Sequence, residues 1–520
     1  MSQRWFAGAL VLALTAAKWF AFMAALSFAY SDAYKVWFGA GVCVVQAFLW
    51  CWAWRGFGTF GLVTSWLLQT LYLGVCWSYF AYFGLHLTWA TLVSVGGEGA
   101  TAVGFGVIPL SLGMLWLLAD LPALIWWRWC DRTRWSCFWS AGAALVLVAS
   151  TAWLTWRVDA ALNWAAAERD DRYTAQAVFV RQYGLLPIQL RQMWRGQQTH
   201  ALAYGPEVQL SATTPERRDV LLIQVESLDV GGIELAMPHL AARAREGVWF
   251  SRCLAYHGPG GSSDCDVAVI EGAEPLWDAV TFDQPSYPWT NSWIMRLRRA
   301  GWNAALVHGL PGMYFNFAQV MPRLGYDLWD LHELGLSEHP SEFGARDDEL
   351  VEAVIPRMTQ LPSPFVLHVV TMSSHAPFRQ YRAWWHGSDL GSDYANALAA
   401  TDAQLERLIA AFLTRSPRGL VVLFGDHSAN LPTSDLTRGP EGQREYVPLV
   451  FLNSSAATRR DGRLASFLDV GRTILPAVGW SGPLRTWGAD LLPPGIELPP
   501  TRIYAQPTQR SLSEMGSPSR

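Results

Sequence analysis

Five long runs almost free of charge fill the N-terminal third of this chain: Trp5–Ala29, Val36–Trp54, Phe57–Leu85, Phe105–Trp127 and Cys137–Trp156. Each approaches or exceeds the roughly 20 residues that an α-helix needs to cross a bilayer. No other feature restricts the fold as strongly. Trp52, Trp54, Trp77, Tyr79, Trp126, Trp127, Trp129 and Trp156 crowd the ends of the runs, as an interfacial aromatic belt requires. The first run is too long for a removed signal peptide and lacks a small-residue cleavage site, so it reads as a retained span. Lys18 lies within it and reads most simply as a snorkelling side chain, the other choice being a polar interior. Arg4, Arg55 and the Arg128, Arg132, Arg134 cluster fall on one side of five spans, with Lys35 on the other. The excess of positive charge places the N-terminus in the cytoplasm and everything after about Arg157 outside. The formal net charge of −4 gives no reason to expect a nucleic-acid partner.

Residues 158–218 read as amphipathic juxtamembrane helices and a linker, with a polar, Pro-containing boundary near Gly205–Arg218. The pattern then changes. Short apolar runs at Val220–Val225, Val248–Ala255, Ala304–Val307, Phe365–Val370, Leu420–Phe424 and Tyr446–Leu452 alternate with amphipathic stretches such as Met237–Glu246, Ser292–Ala300, Asp348–Met358 and Tyr394–Leu413. Buried strands separated by helices predict an α/β domain with a mostly parallel sheet, here over residues 219–500. Residues 501–520, rich in Pro, Ser and Thr, read as a disordered tail.

Ligands of such sheets bind beyond the carboxyl ends of the strands. The polar residues at those positions are Glu226 and Ser227, His308, Thr371–His375, and Asp426 with His427. The segment His257–Asp266, H-G-P-G-G-S-S-D-C-D, follows another of the runs. Its glycines suit a turn sharp enough to expose a nucleophilic hydroxyl, although a plain Gly-rich turn with a Ser cap has the same spelling. Glu, Asp and His offer oxygen and nitrogen ligands without thiolate, which suits a catalytic Mn²⁺, Zn²⁺ or Mg²⁺ site. A serine hydroxyl at such a site is positioned to attack phosphorus, and a nearby histidine to protonate the leaving alcohol. Cys253 and Cys265 bracket the serine loop, and in an oxidising compartment a bridge between them would pin it.

V-E-S at Val225–Ser227, M-P-H-L at Met237–Leu240, G-x-S-S-D-x-D at Gly260–Asp266, S-S-H-x-P-F at Ser373–Phe378 and G-D-H at Gly425–His427 occur in that order behind the apolar runs. Together they resemble the lipoteichoic acid synthase and membrane phosphoglycerol transferase group of the alkaline phosphatase–sulfatase superfamily. The resemblance implies one metal, usually manganese, on Glu226, Ser262, Asp426 and His427. It implies that Ser262 is the nucleophile, with Ser263 the adjacent alternative, because S-D-x-D then aligns with the family pattern. It implies a substrate pocket that includes His308, His375 and Asn316. Where the family pattern has an arginine after the pocket asparagine, this chain has Phe317, which cannot pair with phosphate; Arg379 and Arg323 are the basic residues considered for that role. No Cys- or Ser-x-Pro-x-Arg sulfatase motif lies near the loop.

The expected protein has a five-helix membrane domain (residues 1–157) and an extracytoplasmic, alkaline phosphatase/sulfatase-like α/β domain. Its expected activity is metal-dependent transfer of a phospholipid head group, phosphoglycerol or phosphoethanolamine, to an extracytoplasmic glycan through a phosphorylated serine. The alternatives are a phosphodiesterase or sulfatase-like hydrolase and a catalytically silent membrane partner of a polysaccharide synthase.

Overall fold

The computed structural model describes residues 3–27, 58–83, 87, 117–130, 142, 145–157, 185–195, 204–255, 260–275, 281–283, 289–337, 339, 344–429, 431, 434–437 and 446–495. The expected span Val36–Trp54, the helices expected over 158–184, residues 256–259 of the serine loop and the expected C-terminal tail lie outside these residues, as do parts of the other apolar runs. The chain divides into two compact units, Met1–Gln198 and Thr199–Arg520.

The first unit contains helices α1 (Gln3–Ser27), α2 (Gly58–Phe83), α3 (Leu121–Cys130), α4 (145–157) and α5 (Leu185–Arg195). Among the described residues one stretch, Gly58–Trp77 of α2, is a helix long and apolar enough to cross a membrane, and Phe6–Trp19 of α1 is a shorter apolar helix. Lys18 does not snorkel. Its ammonium is buried 2.8 Å from Asp120 Oδ2 and also donates to Leu117 O at 3.2 Å. Asp120 accepts further bonds from Thr15 Oγ1 at 3.1 Å and Trp66 Nε1 at 2.9 Å. An ammonium held among apolar helices is tolerated because a carboxylate and further hydrogen-bonding groups surround the pair.

The second unit carries β1 (Glu207–Leu210), β2 (Val220–Val225), α6 (Val230–Ala236), α7 (Pro238–Arg245), β3 (Val248–Leu254), α8 (Ser262–Asp266), α9 (Trp293–Arg299), β4 (Asn303–His308), α10 (Phe317–Leu324), β5 (Asp327–Trp329), α11 (Asp347–Gln360), β6 (Phe365–Val370), α12 (Asp393–Arg415), β7 (Leu420–Gly425), β8 (Tyr446–Leu452), β9 (Arg459–Asp461), β10 (Ala465–Ser466), α13 (Val470–Ala477) and β11 (Gly482–Arg485). The main sheet runs β10-β3-β8-β7-β2-β6-β4-β5, with β9 also on β3, and β1 pairs with β11 in a separate ribbon. Its strands are parallel except β8, which is antiparallel to both β3 and β7. The mostly parallel sheet is therefore present, with one reversed strand inside it.

Strand residues alternate between two cores. Val220 and Leu222 of β2 and Val422 and Phe424 of β7 meet α8, α9, α10 and α13. Leu221, Ile223 and Val225 of β2 and Val421 and Leu423 of β7 meet α6, α7, α11 and α12. Burial on both faces explains why these strands read as unbroken apolar runs. Cys253 and Cys265 are buried within the first of these cores and are not bonded to each other, so the bridge that the sequence left open does not form; both thiols pack as small apolar groups.

Asp461, at the end of β9, ties down the segment beyond β11. Arg459 Nε and Arg463 Nη2 donate to its Oδ2 at 2.9 and 2.6 Å. Both guanidinia also hold Leu491 O. Burial alone would raise this carboxyl, but the two arginines more than offset it and hold it at about 2. A carboxyl depressed in the folded state adds stability above its unfolded value and loses it as pH falls through the folded one. Asp461→Asn is therefore expected to lower the thermal midpoint at neutral pH and to flatten its acid dependence between about pH 4 and about 2. Unfolding followed by circular dichroism across that range checks this; parallel curves for the two proteins would contradict it.

Candidate active site and metal centre

Strand register builds the site. Val225 of β2 lies opposite Gly425 of β7, so Glu226 and Asp426 leave adjacent parallel strands side by side. Gln224 lies opposite Val370 of β6, which brings Thr371–His375 to the same edge. Gly425 is needed because a Cβ there would sit 2.2 Å from Leu228 O.

Glu226, Asp426 and His427 form the one cluster, among the described residues, in which three or more His, Cys, Asp or Glu side chains could hold a metal ion, their ligand atoms lying within 4.8 Å of one another. His427 Nε2 is 3.6 Å from both Glu226 Oε1 and Asp426 Oδ2. Asp426 Oδ1 accepts the backbone N–H groups of Ser227 at 2.7 Å and His427 at 2.8 Å. Its Oδ2 is buried without a hydrogen-bond partner. Burial, and then the neighbouring Glu226 charge, push Asp426 up to about 6. A buried, orphaned carboxylate oxygen beside a second carboxylate and an imidazole is an O,O,N donor set that fits a divalent cation.

The two serines of the loop differ in kind. Ser263 is completely buried, and its hydroxyl donates to Gly260 O at 2.8 Å. Ser262 begins α8 and is only partly buried, its Oγ 3.2 Å from Glu226 Oε2 and 3.4 Å from His427 Nε2. Gly261, just before it, adopts φ 54° and ψ −126°, a conformation that side chains with a Cβ rarely take. Asp264 Oδ2 accepts Gly260 N–H at 2.8 Å and closes the turn. The structure thus brings Ser262, Glu226, Asp426 and His427 together and withdraws Ser263.

His375 stands beside this group. Its Nδ1 bonds Ala376 O at 2.7 Å, which selects the tautomer whose Nε2 accepts a proton. Burial, and to a smaller degree the neighbouring His427, push it down to about 4. His308 is buried at the end of β4 and lies flat on Phe317, ring centroids 4.4 Å apart. Burial lowers it to about 4 as well. The Asn316 amide donates to Phe282 O at 2.9 Å, so this group is engaged in holding the 281–283 turn. Arg379 is exposed and bonds Asp393 at 3.3 Å, and Arg323 is exposed on α10.

Several strand-end hydroxyl residues named from the sequence organise the site, together with Asp347 and Thr401, which were not singled out there. Thr371 Oγ1 accepts Glu226 N–H at 3.0 Å, and Ser374 Oγ donates to Glu226 O at 2.6 Å. Ser227 Oγ donates to Glu226 Oε1 at 2.7 Å from a residue at φ 54°. Asp347 accepts Met372 N–H at 2.7 Å and the Thr401 hydroxyl at 2.7 Å, which fixes the turn leading to His375. The signal for most of them was the run of hydroxyl residues just after β6.

These features define a three-layer α/β domain with a serine hydroxyl set against a carboxylate–imidazole cluster at the strand ends. The sulfatase family model matches residues 218–480, and the chain belongs to that family. Its relatives include lipoteichoic acid synthase 2 of Bacillus subtilis (strain 168), 22% identical over 298 residues, which are 51% of this chain and 45% of that protein. A capsular polysaccharide biosynthesis protein, RkpI of Rhizobium meliloti (strain 1021), is 26% identical over 237 residues, 43% of each chain. The chain spans about half the length of these curated relatives. Among solved structures, the integral membrane protein lipooligosaccharide phosphoethanolamine transferase A (EptA) from Neisseria meningitidis shares the fold with a TM-score of 0.55 at 15% identity, covering 91% of this chain and 95% of that one. The resemblance to the lipoteichoic acid synthase group drawn from the sequence motifs therefore holds.

A cation entering this site must displace the proton that Asp426 carries below about pH 6. Mn²⁺ affinity measured by titration calorimetry is expected to be near its plateau at pH 7 and to fall roughly tenfold per unit once the pH is well below the Asp426 value. Asp426→Asn should remove most of the binding. Affinity that does not vary from pH 7 to 5 would contradict the assignment of Asp426 as a ligand.

Proposed function

We propose that this chain is a membrane-tethered phosphotransferase that moves a phospholipid head group, phosphoglycerol or phosphoethanolamine, onto an extracytoplasmic glycan. The observation that carries the reading is the position of Ser262: a partly exposed hydroxyl on a glycine-shaped turn, in contact with both Glu226 and His427. On this reading Glu226, Asp426, His427 and the Ser262 oxygen hold one divalent metal, Mn²⁺ first and Zn²⁺ or Mg²⁺ next. Such an ion, when bound, supplies Lewis acidity that favours the serine alkoxide and offsets charge on the phosphoryl oxygens.

The Ser262 oxygen attacks phosphorus as the bond to the diacylglycerol oxygen breaks. His375 Nε2, neutral at the outset, takes up the proton that the Ser262 hydroxyl loses and returns it to the departing diacylglycerol alcohol. The acceptor hydroxyl then attacks the phosphoserine and regenerates Ser262. His308, Asn316 and Arg379 are assigned to the substrate side; the stacked, neutral His308 and Phe317 give the head group an aromatic wall there. The sulfatase-family fold supports phosphoryl or sulfuryl chemistry. Relatives named for lipoteichoic acid synthesis and capsular polysaccharide synthesis, and a fold neighbour named as a phosphoethanolamine transferase, support a head-group donor and a glycan acceptor. The likeness to a membrane protein over most of the chain supports an inner-membrane location with residues 1–157 embedded as five spans, the N-terminus cytoplasmic, 158–218 juxtamembrane and 219–500 catalytic and periplasmic.

The test is intact-mass spectrometry of the full-length protein incubated with Mn²⁺ and either phosphatidylglycerol or phosphatidylethanolamine. A phosphoglycerol or phosphoethanolamine adduct on the peptide containing Ser262 is expected with one donor. Ser262→Ala should abolish the adduct and lower transfer by about 10³-fold or more, and Asp426→Ala by a similar factor. With metal bound, absence of an adduct from both lipids would overturn the transferase reading in favour of a hydrolase or a silent partner.

A further inference from the structure

Among the described residues five other than glycine have a positive φ, and two of them, Ser227 at 54° and Phe378 at 62°, lie against one side chain, that of Tyr394. Tyr394 is the second residue of α12 and is buried. Its hydroxyl donates to Ser227 O at 2.7 Å and accepts the Asp229 N–H at 3.2 Å. Its ring meets the Phe378 ring at 64°, centroids 5.1 Å apart, and the Phe378 N–H donates to His375 O at 2.8 Å. Asp229 carries the contact onward, its Oδ2 accepting the Ala429 N–H at 3.0 Å, two residues beyond His427. One tyrosine thus touches the loops that follow β2 and β6, and through Asp229 it reaches the loop that follows β7.

Ser227 is held at three points. Its N–H donates to Asp426 Oδ1 at 2.7 Å, its hydroxyl donates to Glu226 Oε1 at 2.7 Å, and its carbonyl accepts from Tyr394. A serine favours negative φ, so a left-handed serine persists only where its surroundings over-determine it. Rotation back to negative φ would turn the N–H away from Asp426 and the hydroxyl away from Glu226. Two of the three bonds end on the very acids whose places they set. The bond from Tyr394 is anchored on a separate element, a 23-residue helix whose inner face belongs to the second core. A phenylalanine at position 394 would leave Ser227 O buried without that donor, which is costly for a buried carbonyl.

We propose that Tyr394 is a positioning residue for the metal centre: its hydroxyl holds Ser227 in the left-handed conformation that aims Glu226 and Asp426 at one cation. The inference rests on the assignment of Glu226, Asp426 and His427 as metal ligands and is independent of the transfer chemistry. In the sequence Tyr394 reads as the first apolar residue of an amphipathic stretch, so this role is not legible there.

The test is the Mn²⁺ affinity of the full-length protein at neutral pH, measured by titration calorimetry over a double-mutant cycle of Tyr394→Phe and Ser227→Gly. Tyr394→Phe removes one oxygen and keeps the ring on Phe378. It is expected to weaken Mn²⁺ binding about tenfold, the scale of one hydrogen bond to a buried group. Glycine takes positive φ without strain, so in the Ser227→Gly background the same change should cost less than about twofold. Thr473→Val on α13 also removes one buried hydroxyl, bonded there to Asp469 O and the Leu491 N–H. It should lower the thermal midpoint about as much as Tyr394→Phe does and leave Mn²⁺ affinity unchanged. Wild-type affinity in Tyr394→Phe, an equal loss in both Ser227 backgrounds, or an equal loss in Thr473→Val would overturn the proposal while leaving the metal assignment in place. No Mn²⁺ binding by the wild type would overturn the metal assignment and the proposal with it.

Discussion

The parallel register of β2 against β7 puts two carboxylates at the same height on neighbouring strands, and much of the catalytic unit answers that constraint. Like charges at close range in a buried setting cannot both remain ionised without compensation. Asp426 shows the cost: burial first, and then the neighbouring Glu226 charge, push it up to about 6. The surroundings offset part of it. The Ser227 and His427 N–H groups point at Asp426 Oδ1, and the Ser227 and Ser262 hydroxyls point at Glu226. Ser227 reaches both acids by taking a left-handed backbone conformation that a serine does not normally adopt. Strain and buried charge gathered at one sheet edge mark a site kept for chemistry, since apolar residues would pack there at lower cost.

The serine pair shows how local geometry assigns different work to identical side chains. Successive residues at the start of a helix point about 100° apart, so Ser262 and Ser263 cannot share a direction. Ser263 faces inward and closes the turn through Gly260 O, while Ser262 faces the carboxylates. Gly261 sets the entry angle from a conformation that suits glycine, and Asp264 bonds the Gly260 N–H to lock it. The internal hydrogen bonds of the turn fix the direction of the Ser262 hydroxyl, as the proposed in-line attack on phosphorus would need.

Much of this was legible in the sequence because the sheet is buried on both faces. Continuous apolar runs mark the limits of β2, β6 and β8, and the strand-end rule points to Glu226, His308, His375 and Asp426 from sequence alone. Apolar periodicity does not carry direction, so the reversal of β8 was invisible, as was the π-helical turn at Val267–Glu271 that follows α8. Long-range partners were equally hidden. Nothing near Lys18 in the chain announces Asp120, and nothing near Asp347 announces Thr401. Position and compartment left a bridge between Cys253 and Cys265 open, but both thiols are buried apolar fillers. Spacing along a chain does not report whether two side chains face each other.

The two units bury acids in opposite ways, and the contrast separates a structural charge from a functional one. Asp120 in the first unit meets the Lys18 ammonium, the Thr15 hydroxyl and the Trp66 indole N–H. Both of its oxygens are satisfied, and the cluster asks for nothing more; its work is to fix how α1, α2 and the start of α3 meet. Asp426 has one oxygen supplied by backbone N–H groups and the other left without a donor, next to a second acid and within reach of an imidazole. Asp266 is an intermediate case. Both its oxygens are orphaned, and burial, then the charges of Asp426 and Asp264, push it well above the usual carboxylate range, which favours its protonated form. Protonation is the answer for an isolated buried acid. For Asp426, with Glu226 and His427 converging on the same point, a cation is the answer that engages all three residues at once.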